Sequence, residues 1–461
     1  MERRPRPPSK CMRRLESVFC GILMALVLLW LATDASIFRS TSFLGVRKPS
    51  IQLTGIVAMG CMSLAMVLAL RPRWPEAWLG GLDKMYRLHK WLGIAALIAA
   101  ILHWAWAKAP KWGASLGLIE RRAHGLRPAI ADPVRAFFAS LRGTAEHWGE
   151  WAFYAAVLLI ALALAKSFPY RLFYKTHRLM AAAYLVLAFH AVVLVEFGYW
   201  SMPLGWVMAL LIACGSWAAI IVLLRRVGAR RQVDGRIAAL HYYPGVKALE
   251  TRVEAPHDWP GHRAGQFAFA MSDPSEGAHP YTIASGWNPE NPNIVFIAKE
   301  LGDHTRDLRG KLAVGKPVRI EGPYGCFTFD DDRPLQIWIG GGIGITPFIA
   351  RMQYMAFRKT TPDWPMGQSV ELFHSTADAD DEALKKLAAD ARAADIRLHV
   401  LIDARDGFLT GERIREAVPQ WREAGIWFCG PAGFGAALRR DFAAHGFPVE
   451  QRFHQEFFGM R

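Results

Sequence analysis

Six apolar stretches, at about 17–33, 52–70, 88–107, 149–165, 179–197 and 204–224, decide what this chain can fold into. An α-helix rises about 1.5 Å per residue, so a run of about 20 apolar residues crosses a hydrocarbon core of about 30 Å. The stretches therefore predict six membrane spans, the 149–165 run being the shortest. Charge follows the same division. Residues 1–231 hold 29 Lys and Arg against 10 Asp and Glu, whereas residues 232–461 hold 26 against 30. The basic groups of the first half gather between the apolar runs: Arg3, Arg4, Arg6, Lys10, Arg13 and Arg14; Arg71 and Arg73; Lys166, Arg171 and Lys175; Arg225, Arg226, Arg230 and Arg231. The positive-inside rule places all four clusters, and with them both termini, on the cytoplasmic side of an integral membrane protein, the inner membrane if the source is prokaryotic. A loop from about 108 to 148 then falls on the far side, itself basic through Arg121, Arg122, Arg127, Arg135 and Arg142. A nucleic-acid-binding protein would carry its basic excess on a soluble face, which this pattern excludes. The six cysteines form no CxxC and no regular spacing, so neither a disulfide framework nor a zinc site is indicated.

Histidines carry the chemistry of this half. Four lie in the spans: His89 and His103 in the third, His177 and His190 in the fifth. Ionisable groups at lipid depth are rare and usually functional. The third and fifth spans run in the same direction, so His89 levels with His177 and His103 with His190. The two levels lie about 20 Å apart, room for two stacked porphyrins. Neutral imidazole is a good axial ligand for haem iron, and no carboxylate or thiol accompanies these histidines as a zinc or di-iron site would need. Fourteen residues return His103 to nearly the face of His89. Thirteen leave His177 and His190 about 140° apart on a straight helix, which predicts a bulge or kink between them.

Beyond Arg231 the pattern changes. Runs such as 236–243, 293–298 and 317–321 read as strands of a small antiparallel barrel. From Leu335 the order becomes apolar strand, glycine loop, helix and strand, a parallel α/β layer, with the boundary in the acidic turn Asp330-Asp331-Asp332. In the barrel, His279-Pro280-Tyr281-Thr282 offers an aromatic face, a hydroxyl and a donor on one extended segment. By itself it fits a flavin or an ordinary turn and strand. Gly302-Asp303-His304-Thr305 presents backbone N–H groups and a hydroxyl at a helix start, which suits an anion. Gly340-Gly341-Gly342-Ile343-Gly344-Ile345-Thr346-Pro347 follows an apolar strand and precedes a helix, the context in which a glycine loop approaches a pyrophosphate. Trp427-Phe428-Cys429-Gly430-Pro431 ends another strand, where Cys429 reads equally as a buried structural thiol.

The His-x13-His and His-x12-His spacing, the His-Pro-Tyr-Thr segment, the GGxGxTP loop and the Cys-Gly-Pro turn resemble the NADPH oxidases and the wider ferric reductase-like transmembrane family. The resemblance covers the whole chain. It implies a six-helix haem bundle (1–228), an FAD-binding β-barrel of the ferredoxin–NADP reductase type (229–330) and a nicotinamide-binding α/β domain (331–461). It implies metal ligation of an inner haem by His89 and His177 and of an outer haem by His103 and His190. It further implies FAD at His279, Pro280, Tyr281, Thr282, Gly302 and Thr305. NADH or NADPH falls at Gly341, Gly342, Gly344, Thr346, Pro347, Cys429, Gly430 and Pro431. Thr282, Cys429 and Phe458 are the residues at hydride transfer, with Phe458 (or Phe457) the aromatic ring over the flavin. Many soluble reductases of that fold have Arg where this chain has His279.

The expected activity is an oxidoreductase moving electrons from cytoplasmic NAD(P)H through FAD and two b-type haems to an acceptor on the far side. Oxygen giving superoxide is placed ahead of a ferric chelate, because the spacing of thirteen from His177 to His190 is the pattern of the oxidases it resembles. A haem anchor feeding a partner protein or quinone is the reading from another class. Acid at Asp378, Asp380 and Asp381, where a 2′-phosphate would want Lys or Arg, favours NADH, although Lys385 and Lys386 follow. No EF-hand loop or SH3-binding tract is visible, so constitutive activity is expected.

Overall fold

A computed structural model describes residues 10–38, 42–117, 131–165, 167–274, 276–359 and 368–456. The chain forms two compact units, one of residues 14–75 and 84–227, the other of residues up to 13, 76–83 and 228 onward.

In the first unit, six helical stretches are long and apolar enough to cross a membrane. They are α1 (Lys10–Thr33), α2 (Phe43–Ala69), α4 (Leu82–Ser115), α5 (Pro133–Leu164), the pair α6 (Tyr170–His177) and α7 (Leu179–Leu194), and α8 (Pro203–Leu223); a short α3 (Arg73–Leu79) follows α2. Two expectations change. The 149–165 run is only the apolar part of α5, which begins at Pro133 with Asp132 as its N-cap accepting from Val134 and Arg135 N–H. Helix α4 likewise continues to Ser115, so the region expected to be a loop from 108 to 148 is helical at both ends. Hydropathy marks only the residues suited to lipid, and helical hydrogen bonding runs on into polar sequence. Arg121, Arg122 and Arg127 lie outside the described residues, as do Arg3, Arg4, Arg6 and Lys166.

Packing inside the bundle relies on small residues. Helix α5 buries Ala145, Gly149, Ala152 and Ala156, every third or fourth residue, and this stripe lets the α7 backbone come close. Leu28, Ile98, Leu158, Leu210 and Trp217 stay exposed on the outside, as lipid-facing side chains would. Pro110 sits inside α4 and removes the N–H that would have bonded the Trp106 carbonyl. Arg47 of α2 replaces it. Its Nε donates to Trp106 O at 3.0 Å and an Nη to Ala107 O at 3.1 Å.

In the second unit, β1 (Gln232–Tyr243), β2 (Ala248–Glu254), β3 (Phe267–Met271), β4 (His279–Thr282), β5 (Asn293–Lys299) and β6 (Pro317–Tyr324) form one antiparallel sheet, with α9 (Asp303–Lys311) between β5 and β6. Its order is β4-β3-β6-β1-β2-β5, and a bridge from Ile283 to Phe296 joins the two ends into a barrel. The barrel encloses Ile237, Val253, Ile283, Ile294 and Ile320. The remaining strands, β7 (Leu335–Gly341), β8 (Ser369–Thr376), β9 (Arg397–Ile402), β10 (Gly425–Cys429) and β11 (Phe453–Gln455), are all parallel in the order β11-β10-β7-β8-β9. Helices α10 (Thr346–Lys359) and α11 (Asp381–Ala393) follow β7 and β8. The chain leaves β7 first to one side and then to the other, so the switch point lies between β7 and β10. In open α/β sheets ligands bind there.

Arg47→Ala strands the Trp106 carbonyl in the bundle. We expect a loss of about 1–3 kcal/mol, read as a lower thermal midpoint of the detergent-purified protein.

Candidate functional site

The four histidines of the spans form two pairs. The ring centroids of His89 and His177 are 6.0 Å apart and those of His103 and His190 are 6.1 Å apart. A metal held by one nitrogen of each ring needs two bonds of about 2.0–2.1 Å. With the ring radius added on either side, the centroids of such a pair fall about 6 Å apart. The spacing of both pairs therefore fits one metal between each, as an axially ligated haem iron requires. The level-matching expected from sequence is what the helices produce. So is the irregularity between His177 and His190: the helix stops at His177, turns at Arg178 and restarts at Leu179.

Three of the rings are oriented by backbone carbonyls. His89 Nδ1 lies 2.9 Å from Ala65 O, His103 Nδ1 2.9 Å from Ile51 O, and His190 Nδ1 2.8 Å from Ala145 O. A carbonyl only accepts, so each Nδ1 carries the proton and each Nε2 keeps its lone pair for a metal. A helical carbonyl can take this second bond only where the neighbouring side chains leave room. Gly55 and Gly149 stand four residues after Ile51 and Ala145. A Cβ on Gly149 would come within 2.0 Å of His190 Nδ1, and one on Gly55 within 3.2 Å of His103. These carbonyls and glycines were not anticipated from the sequence. The signal available was a glycine four residues beyond an apolar residue in a span facing a histidine.

In the barrel, His279, Pro280, Tyr281 and Thr282 make up β4, paired with Ala270, Phe269, Ala268 and Phe267 of β3. His279 and Tyr281 line one cavity with Glu276, Leu308 and Leu312. Burial, and secondarily Glu276, raises the Tyr281 phenol above its ordinary range, so it stays protonated. Gly302 is the N-cap of α9. The Thr305 hydroxyl is not free for an anion, since it accepts from the N–H groups of Leu301 (3.0 Å) and Gly302 (3.2 Å).

At the switch point the two glycine turns interlock. Cys429 is in register with Gly340 on β7, and Gly340 with His374 on β8. A Cβ on Gly344 would lie 2.2 Å from the Cys429 carbonyl, and one on Gly341 2.9 Å from Pro431. Gly344 is thus required first by the turn carrying Cys429, whatever a phosphate demands. Gly342 has φ +56° and open space above it, which leaves its backbone accessible. Thr346 and Pro347 are buried at the start of α10, Thr346 donating to Ile343 O at 2.7 Å. The Cys429 thiol is fully buried. Burial pushes its pKa well above the ordinary thiol range and Glu456 pushes it the same way, which makes it a neutral neighbour and no nucleophile. Phe457 and Phe458 lie outside the described residues.

The acidic turn after β8 is engaged. Lys299 Nζ reaches Asp378 at 2.7 Å, Asp380 caps α11 and accepts from Gly245 N at 2.8 Å, and Lys386 Nζ lies 2.6 and 2.8 Å from the two oxygens of buried Glu250. Glu250 was missed by sequence reading, because a carboxylate in an alternating strand looks solvent-facing.

Paired histidines in an apolar bundle, joined to a barrel and a parallel sheet with glycine turns at its switch point, define a membrane redox architecture. Comparison with known proteins agrees for the bundle: residues 54–188 match the ferric reductase like transmembrane component. The chain is also similar to oxidoreductases. It is 26% identical over 198 residues to a flavohemoprotein of Pseudomonas aeruginosa, covering 41% of this chain and 48% of that protein. It is 32% identical over 151 residues to an NADPH oxidoreductase of Mycobacterium tuberculosis, covering 32% and 37%. Among solved structures, the flavohem-like FAD/NAD binding domain of a Vibrio cholerae nitric oxide dioxygenase aligns over 49% of this chain and 98% of that one, with 17% identity and a TM-score of 0.41. The chain spans about half or less of the length of the curated relatives it matches.

With one haem at each pair, as proposed below, Gly149→Ala should displace His190 and lower the haem at the His103–His190 pair while sparing the other, seen as a drop from two haems per chain toward one. Gly344→Ala should lower the thermal midpoint even without nucleotide, because its Cβ meets the Cys429 carbonyl. An unchanged midpoint together with a raised nicotinamide KM would return the glycine to a phosphate role.

Proposed function

We propose that this protein carries electrons across a membrane, from NAD(P)H bound at the parallel sheet, through FAD on the barrel, to two b-type haems and on to an acceptor on the far side. The observation that carries the proposal is the pairing of His89 with His177 and His103 with His190 at 6.0 and 6.1 Å within apolar helices. FAD when bound accepts a hydride and releases electrons singly. The chain's part is positioning. Tyr281 offers its ring and Thr282 its hydroxyl beside the flavin, and His279 a donor toward the pyrophosphate. Gly341, Gly342 and the start of α10 at Thr346 and Pro347 receive the nicotinamide cofactor's phosphates. Cys429, Gly430 and Pro431 shape the place where the nicotinamide meets the flavin. NADH is proposed as the preferred donor, since Lys386 is neutralised by Glu250 and the turn after β8 is acidic.

Reduced nicotinamide is a cytoplasmic compound, so both termini and the two sheets are assigned to that side. Three regions, 1–228, 229–330 and 331–461, are proposed as the haem, flavin and nicotinamide domains. The proposed acceptor is oxygen, reduced to superoxide, which needs only access to the outer haem edge. A ferric chelate is the second candidate.

The test uses membranes containing the full chain, with NADH or NADPH as the only reductant. The reduced-minus-oxidised spectrum should show b-type haem, more rapidly with NADH. His89→Leu and His177→Leu should remove the same haem, and His103→Leu and His190→Leu the other. Cytochrome c reduction sensitive to superoxide dismutase is expected in air. Rapid ferric-chelate reduction under argon with negligible superoxide in air would make iron the acceptor. Failure of both nucleotides to reduce haem would sink the proposal.

A further inference from the structure

The two histidine pairs share a spacing but differ in what holds them. His103 and His190 each donate Nδ1–H to a helix carbonyl, and His89 does the same. His177 does not. Its Nδ1 is buried and has no hydrogen-bond partner among the described residues. Its ring lies instead against Phe173, centroids 5.0 Å apart and planes 18° from parallel. His177 is the last residue of α6, and its ring lies over the side chain four residues earlier on that same helix. Nor does any close glycine contact accompany it as Gly55 accompanies His103 and Gly149 accompanies His190.

A hydrogen bond from the outer nitrogen makes a ligating imidazole a stronger electron donor, and stronger donation stabilises the ferric state. The outer pair has two such bonds and the inner pair one. We infer that His177 is the unassisted ligand of this protein, and that its lack of a carbonyl partner makes the inner haem the more readily reduced of the two. The inference rests on the two-haem reading above. Electron entry is then favoured over onward transfer, so turnover follows the removal of electrons on the far side.

Cavity complementation in the full-length, haem-loaded protein tests the hydrogen bonds directly. His103→Gly and His177→Gly are titrated with imidazole and with 1-methylimidazole, which has no second N–H, and six-coordinate low-spin absorbance is followed. At position 103 imidazole should bind about fivefold or more tightly than its methyl analogue; at position 177 the two should bind within about twofold. Equal discrimination at both positions overturns the inference. Potentiometry gives a second readout that does not depend on either cavity. The wild type should titrate with two midpoints, the haem left in His103→Leu at the higher and that left in His89→Leu at the lower. The reverse order in a protein with two haems overturns the inference alone, whereas fewer than two haems in the wild type overturns the reading beneath it.

Discussion

An imidazole with a lone pair on one nitrogen has a proton on the other, and inside an apolar bundle leaving that proton without an acceptor is costly, a cost met at three of the four span histidines. Helix carbonyls are the only abundant acceptors there. Each has a second lone pair beyond the one used along the helix, but reaching it requires a histidine to come within about 3 Å of another helix's backbone. Ile51, Ala65 and Ala145 provide such carbonyls to His103, His89 and His190. Much of the bundle follows from this requirement. The small-residue stripe of α5 lets that helix approach α7, and Gly149 stands where a methyl group would strike the His190 ring. The same economy of backbone groups explains Arg47, which supplies the donors that Pro110 takes away from α4.

The second unit meets a similar constraint by other means. Backbone has to approach backbone at the ends of β7 and β10, so glycine occupies both sides of the contact: Gly341 and Gly344 on one turn, Gly430 on the other. The result is a narrow, rigid edge at the point where the sheet's connections diverge. A fully buried, protonated Cys429 sits in it as a neutral packing group. Around it, charges are paired one to one, Lys299 with Asp378 and Lys386 with Glu250, which ties the barrel strands β2 and β5 to the segment following β8.

The sequence by itself determined the number of spans, the histidine levels, the two kinds of sheet and the order of the turns. Each of these depends on periodicity or on residues close in the chain: runs of apolar residues, a separation of thirteen or fourteen between histidines, a glycine loop between strand and helix. The break at Arg178 was legible for the same reason, since a helical angle summed over thirteen residues leaves two histidines on different faces. What only the tertiary structure decided were contacts between distant segments. Nothing near Ala145 or Ile51 marks their carbonyls as acceptors for histidines 45 and 52 residues away. Glu250 becomes a buried partner of Lys386 only once β2 meets α11. Gly344, legible as a phosphate-loop glycine, proved to be demanded by the Cys429 carbonyl. Backbone carbonyls are identical at every position in a sequence. Only packing, which sets which of them has an open lone pair facing a donor, tells them apart.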